Sequence, residues 1–251
     1  MNYIFLVAAN ADELLALPTE NSTHVNRCKA DTSQQEVYLP NANWQNEQIN
    51  HFTNVRLKIA RHFALSKKEP PQEENSKIKT PKPKDEYGWC TFCFGNDFWN
   101  QIIEALKAKD EYDEESDQKL KKKSYANAAA GEVGYQPLLK ILSNLRPTVV
   151  SQLIEYHSSW AESIEKVTLD QALWFYGLLS IVEKPLHPDD QSCLRSFVIV
   201  CSKQRRAIIE SSSSEKNSAE VEKSISHLNL IICLVAKYFG QADLADESSN
   251  E

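Results

Sequence analysis

Glycine and methionine are scarce in this chain, which has six glycines and one methionine among its 251 residues. Glycine-rich turns build the phosphate loops of nucleotide-binding folds, and the sequence contains neither a P-loop nor a dinucleotide fingerprint. The hydrolase motifs G-x-S-x-G and H-E-x-x-H are also absent. The six histidines are scattered and form no recognisable catalytic frame with cysteine or carboxylate. We therefore predict a protein that is not an enzyme, with no catalytic residues and no cofactor.

Long apolar runs are missing as well. The most apolar segment lies near the end of the chain, and its unbroken core, Leu230–Ala236, has seven residues. A bilayer-spanning helix needs about 20 apolar residues. The apolar start of the chain lacks the basic region of a signal peptide. We expect no membrane contact and a cytoplasmic or nuclear protein.

Cys90-x-x-Cys93 has the spacing of half a zinc site or of a redox motif, but no second cysteine pair or His-x-x-x-His follows at a suitable distance. The aromatic residues around this pair favour a packing role, and we predict no metal site. The six cysteines are spread along the chain, and several lie on apolar helical faces. This pattern is typical of reduced, intracellular thiols.

The net charge of −7 argues against a protein that coats nucleic acid, because phosphate binding requires clustered lysine and arginine side chains. Basic side chains gather at Lys119–Lys123 and at Lys203–Arg206. The first run lies in a charge-rich spacer and the second at the predicted end of a helix, where it complements the helix dipole. We expect no direct, sequence-specific contact with nucleic acid.

A helix is predicted where apolar residues recur at helical spacing from Trp44 to Phe63. The segment that follows, 66–86, is rich in charge and proline and indicates a flexible linker. The helix could fold back on its own chain or dock on another protein, and the sequence leaves both possibilities open. Before it, Val37–Leu39 is the only convincing extended piece.

The second half of the chain predicts an all-α bundle of five or six helices. Thr168 and Gln171 form a capping-box pattern, Gly240 is a natural left-handed cap for the last helix, and His157 is expected to be a hydrogen-bonded core or edge residue. We divide the chain into an N-terminal arm with a tethered amphipathic helix (1–65), a linker (66–86), a helical domain (87–246) with a disordered insertion (107–134), and an acidic tail (247–251).

Several segments of the sequence, in the same order along the chain, resemble the Gemin two family, also called survival-of-motor-neuron-interacting protein one. The resemblance covers most of 44–65 and 135–246. It rests on Leu173–Asp189 and Leu228–Asp246, with further matches at Trp44–Arg56, Gly88–Trp89, Phe92–Cys93 and Val150–Tyr156. It implies a non-enzymatic assembly factor of the SMN complex, found in the cytoplasm and in nuclear bodies. Such a factor holds Sm proteins D-one, D-two, F, E and G while the Sm core assembles on spliceosomal small nuclear RNA.

The resemblance also implies partners and contact residues. The partners are the Sm proteins, an N-terminal helical segment of the survival motor neuron protein, and other SMN-complex members. The Sm-facing residues expected from it are Trp44, Phe52, Val55, Arg56 and Ile59, with Val37, Tyr38 and Leu39 as a possible added strand. For the survival motor neuron segment we expect exposed members of the last helix and two aromatic residues, namely Leu228, Ile231, Ile232, Tyr238, Trp174 and Tyr176. The alternative is a generic helical scaffold that binds a single partner helix in its C-terminal groove.

Overall fold

The computed structural model describes residues 38–66, 78–123, 134–211 and 218–246. Within these ranges the chain is helical, and the predicted all-α class is confirmed. The helices are α1 (Ala42–Ser66), α2 (Glu86–Phe94), α3 (Asn96–Ala108), α4 (Glu114–Lys123), α5 (Leu139–Leu142), α6 (Pro147–Ile164), α7 (Leu169–Ile181), α8 (Pro188–Ser211) and α9 (Ser218–Cys233). A π-helical turn (Leu234–Tyr238) extends α9, and a short 3-10 helix (Ala242–Leu244) follows.

Helices α7 and α9 form the centre of the core. Helix α7 is buried from Gln171 to Ser180 except at Leu173, which is half-buried, and α9 is buried on all sides from Leu228 onward. Such helices need neighbours on several faces. Helix α8 packs on α6 and α9, α6 also packs on α7, and α1 lies against α7, α9 and the π-helical turn. No described helix combines the length and apolarity needed to cross a membrane.

The helix ends confirm two local predictions. Thr168 and Gln171 form the predicted capping box at the start of α7. Gly240 has a φ of 80°, the left-handed conformation expected of a residue that ends a helix. These two signals depend only on nearby residues, which is why the sequence reveals them.

The predicted disorder of the 107–134 insertion is wrong for residues 107–123. Helix α3 continues to Ala108, and α4 follows it. Buried Asp117 fixes α4 to the core, because its carboxylate accepts hydrogen bonds from Trp99 Nε1 (3.0 Å) and from the Tyr112 hydroxyl (3.1 Å). The remaining positions, 124–133, lie outside the described residues, as do 67–77 of the predicted linker and 247–251 of the tail.

Two further expectations are corrected. Tyr38 and Leu39 form a turn before α1 and not an extended strand, and Val37 lies outside the described residues. The aromatic segment that contains Cys90 and Cys93 is α2, which raises the number of helices above the predicted five or six. Both thiols are buried, and burial raises the pKa of each. Among the described residues, no group of three or more His, Cys, Asp or Glu could hold a metal ion.

A buried ion pair ties α8 to the end of the chain. The Arg205 guanidinium donates two hydrogen bonds to the Asp246 carboxylate, of 2.8 and 2.5 Å, and one of 2.8 Å to Asn229 Oδ1. Both charged side chains are about one-tenth exposed. Helix α8 continues to Ser211, so the predicted helix-end role of Arg205 gives way to this pairing.

The imidazole of His157 is fully buried on α6 among aromatic rings. Its ring centroid lies 5.1 Å from that of Trp160 and 5.3 Å from that of Phe94. Neither ring nitrogen has a hydrogen-bond partner among the described residues, so the expected core position is confirmed and the expected hydrogen bond is not. Burial lowers the pKa of His157 to about 3, and the ring is therefore neutral at pH 7.

We predict that Asp246→Asn destabilises the fold by about 3–5 kcal/mol, because it leaves the buried Arg205 guanidinium without a counter-charge. Urea unfolding followed by circular dichroism measures the loss. The matched control is Asp243→Asn, which removes the exposed ion pair with Arg195 and should cost much less. Equal losses in the two variants would contradict the role assigned to burial.

His157 should make stability depend on pH. Its folded-state pKa lies below its unfolded value of about 6.5, so the unfolded chain binds more protons between about pH 3 and 6.5. The stability due to the neutral ring is present above pH 6.5 and is lost as pH falls toward 3. Between pH 7.5 and 5.5 we expect the wild type to lose about 1.4 kcal/mol more unfolding free energy than His157→Phe. Parallel pH profiles in urea titrations would refute this.

Candidate functional site

Helix α1 lies on the C-terminal helices of its own chain. The side chain of Phe52 is 0% exposed, and its ring centroid is 5.3 Å from that of Tyr176 and 4.9 Å from that of Tyr238. Val55 and Ile59 are buried on the same stripe. Of the two possibilities that the sequence left open, the helix therefore folds back, and the prediction of an independently tethered helix is wrong.

Arg56 reaches from α1 to the C-terminal end of α7. Its guanidinium donates to the Leu179 carbonyl and, at 2.7 Å, to the Val182 carbonyl. A cation is favourable there because the last carbonyls of a helix carry partial negative charge. The Arg56 Cζ atom lies 5.7 Å from the Tyr238 ring centroid and 6.0 Å from that of Phe239. Burial lowers the pKa of Arg56, and the Tyr238 hydroxyl opposes that effect.

Lys184 approaches the same two rings from the loop between α7 and α8. Its Nζ atom lies 4.2 Å from the Tyr238 ring centroid and 5.4 Å from that of Phe239, and it donates a 2.9 Å hydrogen bond to the Tyr238 carbonyl. The lowered pKa of Lys184 reflects desolvation and the nearby charge of Arg56. We call these four residues, Arg56, Lys184, Tyr238 and Phe239, the cationic corner.

The π-helical turn positions the two rings of the cationic corner. The Phe239 amide donates to the Leu234 carbonyl, five residues earlier, instead of four as in an α-helix. The wider turn ends α9 with two adjacent aromatic side chains, both half-buried. The Tyr238 and Phe239 rings meet edge to face at 5.1 Å, and both also contact Phe52.

Three of the eight residues predicted to face the Sm proteins are buried. These are Phe52, Val55 and Ile59, which lie on the inner face of α1. Tyr38, Leu39, Trp44 and Arg56 are half-buried and keep part of their surface, and Val37 lies outside the described residues.

The residues predicted to face the survival motor neuron segment are mainly core. The expected exposure of the last-helix members is wrong for Leu228, Ile231 and Ile232, which are buried. Trp174 and Tyr176 of α7 are buried as well. Tyr238 alone in this set keeps a partly open surface. The structure brings this residue next to Phe52 and Arg56, which were predicted for the other partner.

The sequence analysis did not identify the outer face of α1, which carries Leu57 and Leu65. Leu57 is 54% exposed and Leu65 is 62% exposed, and they are among the large apolar side chains most open to solvent in the described residues. Both lie off the buried stripe, Leu57 two residues after Val55 and two before Ile59. A sequence signal for this face exists: Leu57 and Leu65 are large apolar residues that do not fit the spacing of the buried stripe, so burial of the stripe does not account for them.

The arrangement of side chains is suited to binding. Apart from the paired charges, the groups that converge in the described residues are aromatic rings, buried thiols of raised pKa and a neutral histidine. Among the described residues, two surfaces that remain open to solvent are the outer face of α1 and the cationic corner.

The chain is similar to known proteins of one family. Residues 5–242 match the family described as "Survival motor neuron (SMN) interacting protein 1 (SIP1)". The chain is 34% identical over 214 residues to "Gem-associated protein 2" of Mus musculus, covering 85% of this chain and 70% of that protein. It is 32% identical over 209 residues to the Xenopus laevis protein of the same name, covering 83% and 71%.

A solved structure has the same fold. A chain in "The 8S snRNP Assembly Intermediate" superposes with a TM-score of 0.53 at 19% sequence identity. The superposition covers 90% of this chain and 88% of that one. At that identity the likeness concerns the fold alone.

We predict that Phe52→Ala destabilises the fold by about 3–5 kcal/mol, because it leaves a cavity between α1, Tyr176 and Tyr238. Urea unfolding measures the loss. The matched control, Leu57→Ala, truncates a half-exposed side chain of the same helix and should cost far less. If Phe52→Ala costs no more than Leu57→Ala, α1 does not pack as described.

Proposed function

The chain belongs to the survival motor neuron interacting protein 1 family, and from this we propose that it is a non-enzymatic assembly factor of the SMN complex. In this role it holds Sm proteins D-one, D-two, F, E and G while the Sm core assembles on spliceosomal small nuclear RNA. The observation that carries the proposal is the family match, which extends over residues 5–242. The role requires a protein present in the cytoplasm and the nucleus.

The outer face of α1 is our candidate for Sm contact. Leu57 and Leu65 are exposed apolar side chains on a helix whose inner stripe is anchored by Phe52. An anchored helix presents its outer residues with little loss of conformational entropy on binding. Tyr38, Leu39, Trp44 and Arg56 can add contacts at the edges of this face. The buried residues Phe52, Val55 and Ile59 would contribute by fixing the helix, without touching the partner.

For the survival motor neuron segment we propose a surface that includes Tyr238. The buried members of the predicted set, Leu228, Ile231, Ile232, Trp174 and Tyr176, would act as the rigid floor beneath it. A preformed floor favours docking of a partner helix, because the side chains below it lose no further freedom. A charged substitution at any of these five positions would destabilise the core, so a loss of partner binding in such a variant would not identify a direct contact.

Because α1 is part of the core, deleting it cannot test Sm binding alone. Removing residues 1–86 to test Sm binding would delete α1 and therefore Phe52, which belongs to the core. A surface substitution keeps the fold and tests the contact alone. Leu57 suits this purpose because its side chain is half-exposed.

We expect the full chain to co-purify with Sm proteins D-one, D-two, F, E and G and with the survival motor neuron N-terminal segment. Leu57→Glu should reduce recovery of the Sm proteins at least fivefold and leave recovery of the segment unchanged, because it places a charge in an apolar contact. The measurement is quantitative co-purification from purified components. The control is Ile199→Glu, on an exposed position of α8.

Two outcomes would count against the proposal. If the wild-type chain recovers the survival motor neuron segment but no Sm protein, it is the generic scaffold that binds one partner helix. If Leu57→Glu and Ile199→Glu reduce Sm recovery equally, the outer face of α1 is not the Sm contact.

A further inference from the structure

The cationic corner holds two positive charges, those of Arg56 and Lys184. In the part of the chain that the structure describes, no ion pair joins Arg56 or Lys184 to an acidic side chain. Glu183, the acidic residue next to Lys184, is exposed and is bonded to neither. The two cations donate hydrogen bonds to the backbone carbonyls of Leu179, Val182 and Tyr238, and the Tyr238 hydroxyl also interacts with Arg56.

Those carbonyls offset only part of the charge. Arg56 bonds at the C-terminal end of α7, and Lys184 bonds at the end of the π-helical turn that extends α9. A helix C-terminus is equivalent to about half a negative charge. Two cations against two such ends leave about one positive charge uncompensated. The fold thus keeps like charges close together, which is unfavourable unless an anion joins them.

The geometry of the corner is suited to a carboxylate. A guanidinium presents paired N–H donors that match a carboxylate, and an ammonium adds a mobile third donor. The half-buried rings of Tyr238 and Phe239 lie against both cations and give an apolar surface for the methylene groups of an acidic side chain. We propose that the cationic corner binds an aspartate or glutamate side chain from an acidic segment of a partner protein.

Nucleic acid fits the corner less well than an acidic protein segment. Phosphate backbones require a row of basic residues, and this chain carries a net charge of −7. The corner supplies two cations beside two aromatic rings, which is the size of a contact with one side chain. The inference goes beyond the assembly role and does not depend on it.

The test uses the full chain and a capped ten-residue polyglutamate peptide. Lysine labelled with ¹³C at Cε reports the pKa of Lys184, and a peptide titration gives the Kd. We expect polyglutamate to raise the pKa of Lys184 and to shift the ring signals of Tyr238, because an anion favours the charged ammonium. Polyglutamine of the same length should do neither.

A matched pair of variants tests the location. Lys184→Gln should weaken polyglutamate binding about threefold or more, a size typical of a partly exposed charge contact. Lys166→Gln removes the same charge from the opposite end of α7, which lies about 20 Å away for a helix of this length, and should change the Kd little. Thermal unfolding of both variants checks that the fold is retained.

Three results would overturn the inference: no binding of polyglutamate in 50 mM salt, equal weakening in Lys184→Gln and Lys166→Gln, or the same response to polyglutamate and polyglutamine. Inorganic phosphate and a ten-nucleotide single-stranded RNA are run in parallel. If either one binds more tightly than polyglutamate and raises the pKa of Lys184 more, the corner is a phosphate site and the assignment to an acidic protein segment is wrong. These measurements involve neither Sm proteins nor the survival motor neuron protein, so they can fail while the assembly role stands.

Discussion

The need to cover α9 on all sides governs this fold. From Leu228 onward its side chains are buried around the whole circumference and, apart from Asn229, are apolar, and a helix of that kind is unstable unless other elements remove it from water. Helices α7 and α8 cover part of it, and α1 closes the remaining side through Phe52 and its neighbours. The N-terminal helix is therefore a structural part of the C-terminal domain. The long connection between them adds little cost, because loop-closure entropy grows slowly with length.

Two polar groups in this core illustrate two ways of burying a titratable side chain. Arg205 forms an ion pair with Asp246 and joins α8 to the end of the chain. His157 has no counter-charge and stays neutral, since desolvation lowers its pKa. The first solution fixes the position of the C-terminal segment through directed hydrogen bonds. The second makes α6 sensitive to proton concentration, because charging the ring would leave an ion among aromatic side chains.

Sequence reasoning succeeded where the signal was local and failed where it depended on distant residues. The capping box at Thr168 and the left-handed Gly240 follow from a few neighbouring positions, and periodicity located α1. Periodicity cannot say what covers a stripe and leaves both a partner and the chain itself open, and the resemblance alone suggests that Phe52 faces a partner; Phe52 packs on Tyr238, far away in sequence. Composition predicted disorder around Asp117, because a single buried hydrogen bond to Trp99 leaves no trace in amino-acid frequencies. The π-helical turn and the cationic corner had no sequence signal at all.

The position of the cationic corner links partner binding to the packing of α1. Arg56 belongs to α1, Lys184 to the loop after α7, and the two rings to the end of α9, so a carboxylate bound there would touch three separate parts of the fold. A ligand that binds only when these three parts are packed together stabilises that packing. The stabilisation grows with the logarithm of the ratio of ligand concentration to Kd. Occupation of the corner would therefore strengthen the attachment of α1. Because the exposed leucines Leu57 and Leu65 lie on that same helix, a firmer attachment would also hold the outer face of α1 in a fixed orientation for its partner.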